Sequence, residues 1–319
     1  MSAIGLDIGG TSVRVVLLES DGRIAARGRL ATSAERGASD TLERIIHTTR
    51  QLVADVAKTP VQALGVGITG PVDVVTGVVS NPFTLGGWPP TDLREPFSNA
   101  FGVPVAIDND ANVAAIGEWW VGAGRGAARM TMITIGTGIG VATLIDGKLQ
   151  RTSSGMHGEA GHMVLNPFAE KCYCGARGCW EVLASGTALD RHARELAKSA
   201  DSLVGRMTGG NAEQATGELL FAAAAAGDDA AREVIDAVAT WWGLGLVNLA
   251  STTMPDVFVL SGGVVENFEV VRAKVREVLD QHSAMIPTNV PIEAAVLGDD
   301  AGAIGAAKSA LDLVRSPSH

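Results

Sequence analysis

The sequence predicts an α/β fold made of two related lobes, on three observations. Short β-branched runs alternate with alanine- and leucine-rich helical stretches along the whole chain. A strand, a Gly/Thr turn, a second strand and an Asp-Gly hairpin occur twice, as IGGTSVRVVLLESDGRI and IGTGIGVATLIDGKL. All three cysteines fall in one stretch, Gly158 to Glu181.

The chain has 319 residues, long enough for two domains of ordinary size. A hydrophobic content of 46% with 19% charged residues places it among globular proteins. The net charge of −10 argues against nucleic acid or an anionic membrane as the main partner. Asp7 interrupts the N-terminus before an apolar signal region can form. No apolar run approaches the roughly 20 residues that span a bilayer; Leu219 to Ala226, the most apolar, reads as a packed helix. A clustered thiol set without a targeting sequence predicts a reducing cytoplasm.

In chain order, Ile4 to Ile8 begins a strand ending in Asp7-Ile8-Gly9-Gly10-Thr11. Val13 to Leu18 is the second strand, Asp21-Gly22 a tight hairpin, and Ile24 to Leu30 the third strand. Backbone N–H groups in such a glycine-rich turn can cradle phosphate oxygens; a plain hairpin turn explains the same residues. A helix follows over Ala38 to Ala57, with Leu42, Ile45, Ile46, Leu52, Val53 and Val56 on one face. Ala63 to Thr69 is a strand, with Gly70 and Pro71 at its end. The stretch holding Val78, Val79, Asn81 and Trp88 is too broken by Gly and Pro for regular structure, and serves as connector or substrate wall. Val103 to Ile107 is a strand running into Asp108-Asn109-Asp110, where a helix begins. Strand C-terminal ends are where α/β proteins place ligands.

Met132 to Ile135, the turn Gly136-Thr137-Gly138 and Val141 to Ile145 then repeat the opening pattern. Two such hairpins, one per lobe, can grip one polyphosphate from both sides. Gly136 to Gly140 lacks the GxGxxG spacing and leads into a strand, which excludes a dinucleotide fingerprint. Beyond the cysteines, helices are predicted over Ala184 to Lys198, Glu213 to Ala226 and Asp229 to about Ala250. Trp241, Trp242, Leu244 and Leu249 belong to the core. Val257 to Leu260 is a buried strand; the Gly262-Gly263 pair after it fits a tight turn or the close approach of a nucleotide's base or ribose. Helices over Phe268 to His282 and Ala303 to Val314 follow, and Ser316 to His319 reads as a loose tail.

The stretch GEAGHMVLNPFAEKCYCGARGCWE supplies His162, Cys172, Cys174 and Cys179, a complete tetrahedral ligand set for Zn²⁺. Gly175 and Gly178 let the loop fold back on one ion. Unrelated buried thiols and a disulfide are the competing readings; random placement would rarely put all three cysteines within eight residues with a His ten positions upstream, Cys172 and Cys174 are too close to pair comfortably, and an odd count leaves one thiol over. Imidazole and thiolates select zinc over a hard cation, and with no open position the metal is structural. Asn109, Glu159, His162 and Glu181 suit a polyol, whose hydroxyls both donate and accept. His162 can place one ring nitrogen on zinc and the other on a hydroxyl. Together these parts fit ATP-dependent phosphorylation of a hydroxyl, with phosphate positioning, Mg²⁺ and an aspartate base. Asp110 is the predicted base and Asp108 the neighbouring candidate; helix capping is the competing role, strongest for Asp108.

DIGGT, IDNDAN, IGTGIG, GEAGH and CYCGARGCWE, in this order, resemble the ROK family of bacterial sugar kinases. That family includes glucokinases, fructokinases and N-acetyl amino-sugar kinases, with related transcriptional repressors. The resemblance runs from Asp7 to Gly263, and the cysteine motif is its most specific part. It implies a duplicated actin-like ATPase (ribonuclease H-like) fold, two α/β lobes around a cleft with a zinc-bound loop. The smaller lobe is expected over residues 1–112 plus 301–319 and the larger over 113–300.

The resemblance also implies ATP and Mg²⁺, with Asp7, Gly9, Gly10 and Thr11 at one phosphate loop and Thr137 and Gly138 at the other. Gly262 and Gly263 join them at the nucleotide. It implies Asp110 as general base, and Gly70, Asn81, Asn109, Asp110, Glu159, His162 and Glu181 as sugar ligands. His162, Cys172, Cys174 and Cys179 are assigned to zinc, and a homodimer or higher homo-oligomer is expected. Relatives that use glucose carry Asn-Ala-Pro-Asn-Leu where this chain has Asn81-Pro82-Phe83-Thr84-Leu85. The missing second Asn keeps N-acetylmannosamine, N-acetylglucosamine and fructose as alternatives. The segment from Cys179-Trp180-Glu181 through Ser185-Gly186 and Ala188-Leu189 resembles actinobacterial glucokinases and favours glucose. A repressor on this scaffold needs an N-terminal helix-turn-helix, for which a phosphate loop starting at Asp7 leaves no room.

Overall fold

Two five-stranded sheets share one strand order in the computed structural model. It describes residues 2–56, 60–82, 84–152, 155, 157–199, 201–282 and 289–315. Ala57, Phe83 and the tail Ser316 to His319 lie outside them. The first sheet runs Ile24–Ala31, Ser12–Glu19, Ser2–Ile8, Val61–Ile68, Val105–Asn109. The second runs Lys148–Leu149, Ile139–Ile145, Arg129–Ile135, Val257–Ser261, Ile292–Ala294. Numbered within its own half, each sheet reads third, second, first, fourth, fifth. The duplication that the repeat predicts is therefore a duplication of topology.

In the first sheet the three opening strands are antiparallel, and Ser2–Ile8, Val61–Ile68 and Val105–Asn109 are parallel. The register sets Asp7 opposite Arg14 on one side and Gly67 on the other, with Gly67 opposite Asp108. Residues 63–68 are all buried, as expected of a parallel strand covered on both faces. Strand alternation sends Ile4, Leu6 and Ile8 into one cluster with Leu42 and Ile45 of the helix Ala38–Val56. It sends Ala3, with Val16 and Leu18 of the next strand, onto the helix Ala301–Arg315. At Gly5 and Gly65 the carbonyls of Ala303 and Ala306 occupy the space a Cβ would need, so that helix lies directly on the sheet.

The second core cluster gathers Ile133, Trp180, Ile235, Trp242, Leu246 and Phe258 with their neighbours. Its longest helix, Asp229–Thr253, is long and apolar enough to cross a membrane by length and composition, which corrects the reading that no run approaches a span. Its Ile235, Val238, Trp242, Leu246 and Leu249 are buried in this core.

Further elements differ from expectation. The stretch read as too broken for regular structure pairs Val78–Val79 with Thr91–Asp92 as two short antiparallel strands. The helix expected over Ala184 to Lys198 is Gly186–Ala197, capped by Ser185, which accepts the Ala188 N–H at 3.2 Å, and the short helix Trp180–Ala184 just ahead of it was not anticipated. The helix Arg94–Phe101 was not anticipated; Pro96 sits in its first turn, where a missing N–H costs nothing. The chain divides into two compact units, Met1–Met130 with Ala142–His157 and Ala295–His319, and Thr131–Val141 with Gly158–Ala294. The helix Asp110–Val121, across which the sequence division falls, lies whole in the first unit.

Candidate active site

In the first unit the polar groups gather at strand ends. Asp7 closes the strand Ser2–Ile8, and the turn after it is held shut by Gly9 N–H donating to the Ser12 carbonyl at 3.0 Å. Thr32 Oγ1 donates to the Gly9 carbonyl at 2.6 Å, and Thr32 N–H to that of Thr11 at 3.0 Å. Gly10 lies against Thr84, where a Cβ would clash.

Asp110 opens the helix that follows Val105–Asn109. The N-cap is Asn109, whose Oδ1 accepts the Ala111 N–H at 2.9 Å; the Asp110 carboxylate accepts the same N–H at 2.8 Å. Asn109 Nδ2 donates to the Gly70 carbonyl at 3.3 Å, and the buried Asn81 donates to the Thr69 carbonyl at 3.0 Å. Gly70 has φ near +89°, with the Asn81 amide filling the place of its missing Cβ. Gly70, Asn81, Asn109 and Asp110 are thus brought into one hydrogen-bonded group.

Burial raises the Asp110 pKa above its ordinary value, against hydrogen bonds from Ala111, Thr69 and Asn109 that lower it. Asp7 is pushed up to about 6, first by burial, then by the Asp110 and Asp299 carboxylates, with Arg14 opposing. Arg14 stands 3.9 Å from Asp7 and is ion-paired with Asp299. Three carboxylates near one another with a single guanidinium among them form a group that a cation would satisfy.

In the second unit, the Thr137 turn is fixed by neighbours the sequence did not assign to the site. Gly186 N–H donates to the Gly136 carbonyl at 2.7 Å, and Thr187 Oγ1 to the Thr137 carbonyl at 2.7 Å. Thr137 and Gly263 line one cavity of about 410 Å³, with Gly186, Thr216, Glu218 and Asn267. The two expected nucleotide segments of this unit therefore share a wall. Gly262 adopts φ near +96° with its α-carbon against the backbone of Ile135.

The ligand atoms of His162, Cys172, Cys174 and Cys179 all lie within 4.8 Å of one another. The loop folds locally: Gly175 N–H donates to the Cys172 carbonyl at 3.0 Å, and Cys172 N–H to the Ala176 carbonyl at 2.8 Å. Gly175 and Gly178 both take positive φ. The Sγ of Cys172 is 3.6 Å from His162 Nδ1, and those of Cys174 and Cys179 are 3.5 Å apart without a disulfide. Burial pushes the Cys179 thiol up to about 12; a divalent cation among the four groups favours the thiolate instead. The donor set fits zinc in number and type.

The other face of His162 meets Tyr173, whose hydroxyl is 3.2 Å from Nε2. Tyr173 was not predicted; it is 84% exposed. Glu181 Oε2 accepts the Ile139 N–H at 2.9 Å and lies against Gly138. Glu159 is exposed, and its carbonyl accepts the His162 N–H at 2.9 Å.

Comparison with known proteins places this geometry. The ROK family matches residues 3–312. A glucokinase of Thermotoga maritima is 33% identical over 308 residues, which are 96% of this chain and 96% of that protein. The crystal structure of a ROK family glucokinase from Streptomyces griseus in complex with glucose and AMPPNP superposes with a TM-score of 0.76 at 33% identity, covering 98% of this chain and 100% of that one. A ROK hexokinase from Thermus thermophilus superposes with a TM-score of 0.82 at 30% identity, covering 99% and 100%.

Proposed function

The chain belongs to the ROK family, and from that premise we propose that it is an ATP-dependent hexose kinase that converts glucose to glucose 6-phosphate. Asp110 carries the reading. It is a half-buried carboxylate at a strand end, raised in pKa by burial and hydrogen-bonded beside Asn109 and Gly70. A carboxylate so placed is suited to take the proton of a substrate hydroxyl as its oxygen attacks the γ-phosphorus.

Each remaining residue has a part in that reaction. Gly70, Asn81, Asn109, Glu159, His162 and Glu181 orient the hydroxyls of the sugar. Asn109 Oδ1 is engaged by Ala111 and Glu181 Oε2 by Ile139, so the Asn109 Nδ2 hydrogen not given to Gly70, together with Glu181 Oε1, is assigned to sugar. The N–H groups of Gly9, Gly10, Thr11, Thr137 and Gly138 hold phosphate oxygens, and Gly262 and Gly263 lie at the nucleoside. Asp7 is assigned to Mg²⁺, which neutralises the phosphates when bound; its raised pKa marks a carboxylate in want of a cation. His162, Cys172, Cys174 and Cys179 hold structural Zn²⁺, which keeps His162 beside the substrate groups. A homo-oligomer and a cytoplasmic location belong to the same proposal, the latter supported by three free cysteines.

The test is an ATP-consumption assay across glucose, mannose, fructose, N-acetylglucosamine and N-acetylmannosamine. The highest kcat/KM is expected with glucose. An amino sugar in first place overturns the substrate, and no turnover with any of the five overturns the kinase.

A further inference from the structure

Asp108 has no part in the chemistry above. Capping, the role that competes for it in the sequence, belongs to Asn109. Yet Asp108 is 6% exposed, and both of its carboxylate oxygens are engaged. Oδ1 accepts the Asn109 N–H at 2.8 Å and the Asn112 side-chain amide at 2.8 Å. Oδ2 accepts Nη2 of Arg151 at 2.6 Å. Asn112, 1% exposed, also stands 3.2 Å from Nδ1 of His157. Arg151 and His157 face each other across an isolated antiparallel bridge.

Both Arg151 and His157 are therefore fastened to the turn that presents Asp110, and Gly158-Glu159 follow His157 directly in the chain. A buried carboxylate with a guanidinium on one oxygen and two N–H donors on the other is satisfied in this arrangement. Loss of the guanidinium leaves a buried charge uncompensated, and the turn must move to rehydrate it.

We propose that the Asp108–Arg151 pair is a positioning device for phosphoryl transfer. Through the Asn109 N–H it fixes the backbone from which Asp110 projects, and through Arg151 and Asn112 it ties the segment from Arg151 to His157 to the same turn. The inference rests on the kinase reading for its effect on rate, and on the hydrogen bonds alone for its effect on the backbone.

Four variants test it: Arg151→Met, Arg151→Lys, Asp108→Asn, and Arg151→Met with Asp108→Asn. Each is compared with the wild type by steady-state kinetics with ATP and glucose and by amide hydrogen exchange over residues 109–112. Arg151→Met is expected to lower kcat on the order of 100-fold, as a displaced reacting group does, with the KM for ATP within about twofold. Arg151→Lys recovers at least about tenfold of that loss, and the double variant is no slower than the slower single one. Exchange at Asn109, whose backbone N–H donates to Asp108, speeds up in Arg151→Met and less in Arg151→Lys. A kcat for Arg151→Met within about threefold of wild type, or losses that multiply in the double variant, overturns the proposal. If thermal melting shows Arg151→Met unfolded, Arg151→Lys and Asp108→Asn decide by the same criteria. Absent turnover by the wild type defeats the kinase reading alone; unchanged exchange in the variants then defeats the positioning role.

Discussion

Glu181 Oε2 accepts the Ile139 N–H at 2.9 Å and lies against Gly138, so the carboxylate just beyond the last cysteine is fixed to the end of the Thr137 turn. The cysteine loop and the proposed phosphate turn are mechanically one piece within the second unit. Loss of this carboxylate is therefore expected to reach the nucleotide as well as the sugar. Glu181→Ala should raise the KM for ATP about 10-fold, the value of one charge-assisted hydrogen bond, and Glu181→Gln, which keeps an acceptor oxygen, should raise it less. A KM change confined to the sugar contradicts the coupling.

Metal content gives a second prediction. The purified protein should contain about one zinc per chain, and Cys179→Ser should lose it, since structural zinc in small sites contributes on the order of 10–16 kcal/mol. Chelation should expose residues 158–181 to proteolysis and abolish turnover. Protein that is metal-free, folded and active contradicts a structural zinc.

Asp7 provides a stability prediction with a definite sign. Its folded pKa is about 6 against an ordinary 3.8. A carboxyl whose pKa is raised on folding contributes stability below its unfolded pKa and loses it as pH rises through the folded value. Asp7→Asn should therefore stabilise the unliganded protein at pH 7 by about 1–3 kcal/mol, and the gain should fade between pH 6 and about 3.8. Thermal melts from pH 4 to 8 check this. A variant less stable than wild type at pH 7 contradicts the burial account of Asp7. The same variant should lose turnover, because Asp7 is assigned to Mg²⁺.

The pH dependence of kcat/KM follows from Asp110. A general base works deprotonated, so rate falls as pH drops through its pKa, and burial places that pKa above the ordinary carboxylate range. The acid limb is expected to have its midpoint above about 4, the unperturbed aspartate value. An acid limb at or below that value contradicts the environment assigned to Asp110.

The sequence was most informative where the signal is local. The two Gly/Thr hairpins and the Asp108-Asn109-Asp110 strand end are written in adjacent residues, and the structure builds them where the pattern places them. The same holds for the cysteine loop, whose four ligands converge within 4.8 Å. What escaped were partners that only the fold brings near. Arg151 and His157 reach the Asp108 turn from 43 and 45 residues away along the chain. Gly186, Thr216 and Asn267 meet Thr137 and Gly263 around one cavity only because separate helices begin there. Tyr173 stood between two cysteines in plain view, but its place beside His162 depends on the positive-φ turn at Gly175. The long apolar helix Asp229–Thr253 shows the converse: composition alone does not separate a membrane span from a core helix.

The central claim is that Asp110 takes the hydroxyl proton of a hexose as phosphate is transferred from ATP. Its most direct test measures glucose-dependent ADP formation by wild type and Asp110→Asn side by side, with glucose binding followed in both by isothermal titration. The account predicts a loss of at least about 10²-fold in kcat for Asp110→Asn, the scale of general-base catalysis, with glucose affinity nearly unchanged. Turnover of Asp110→Asn within about threefold of wild type contradicts it.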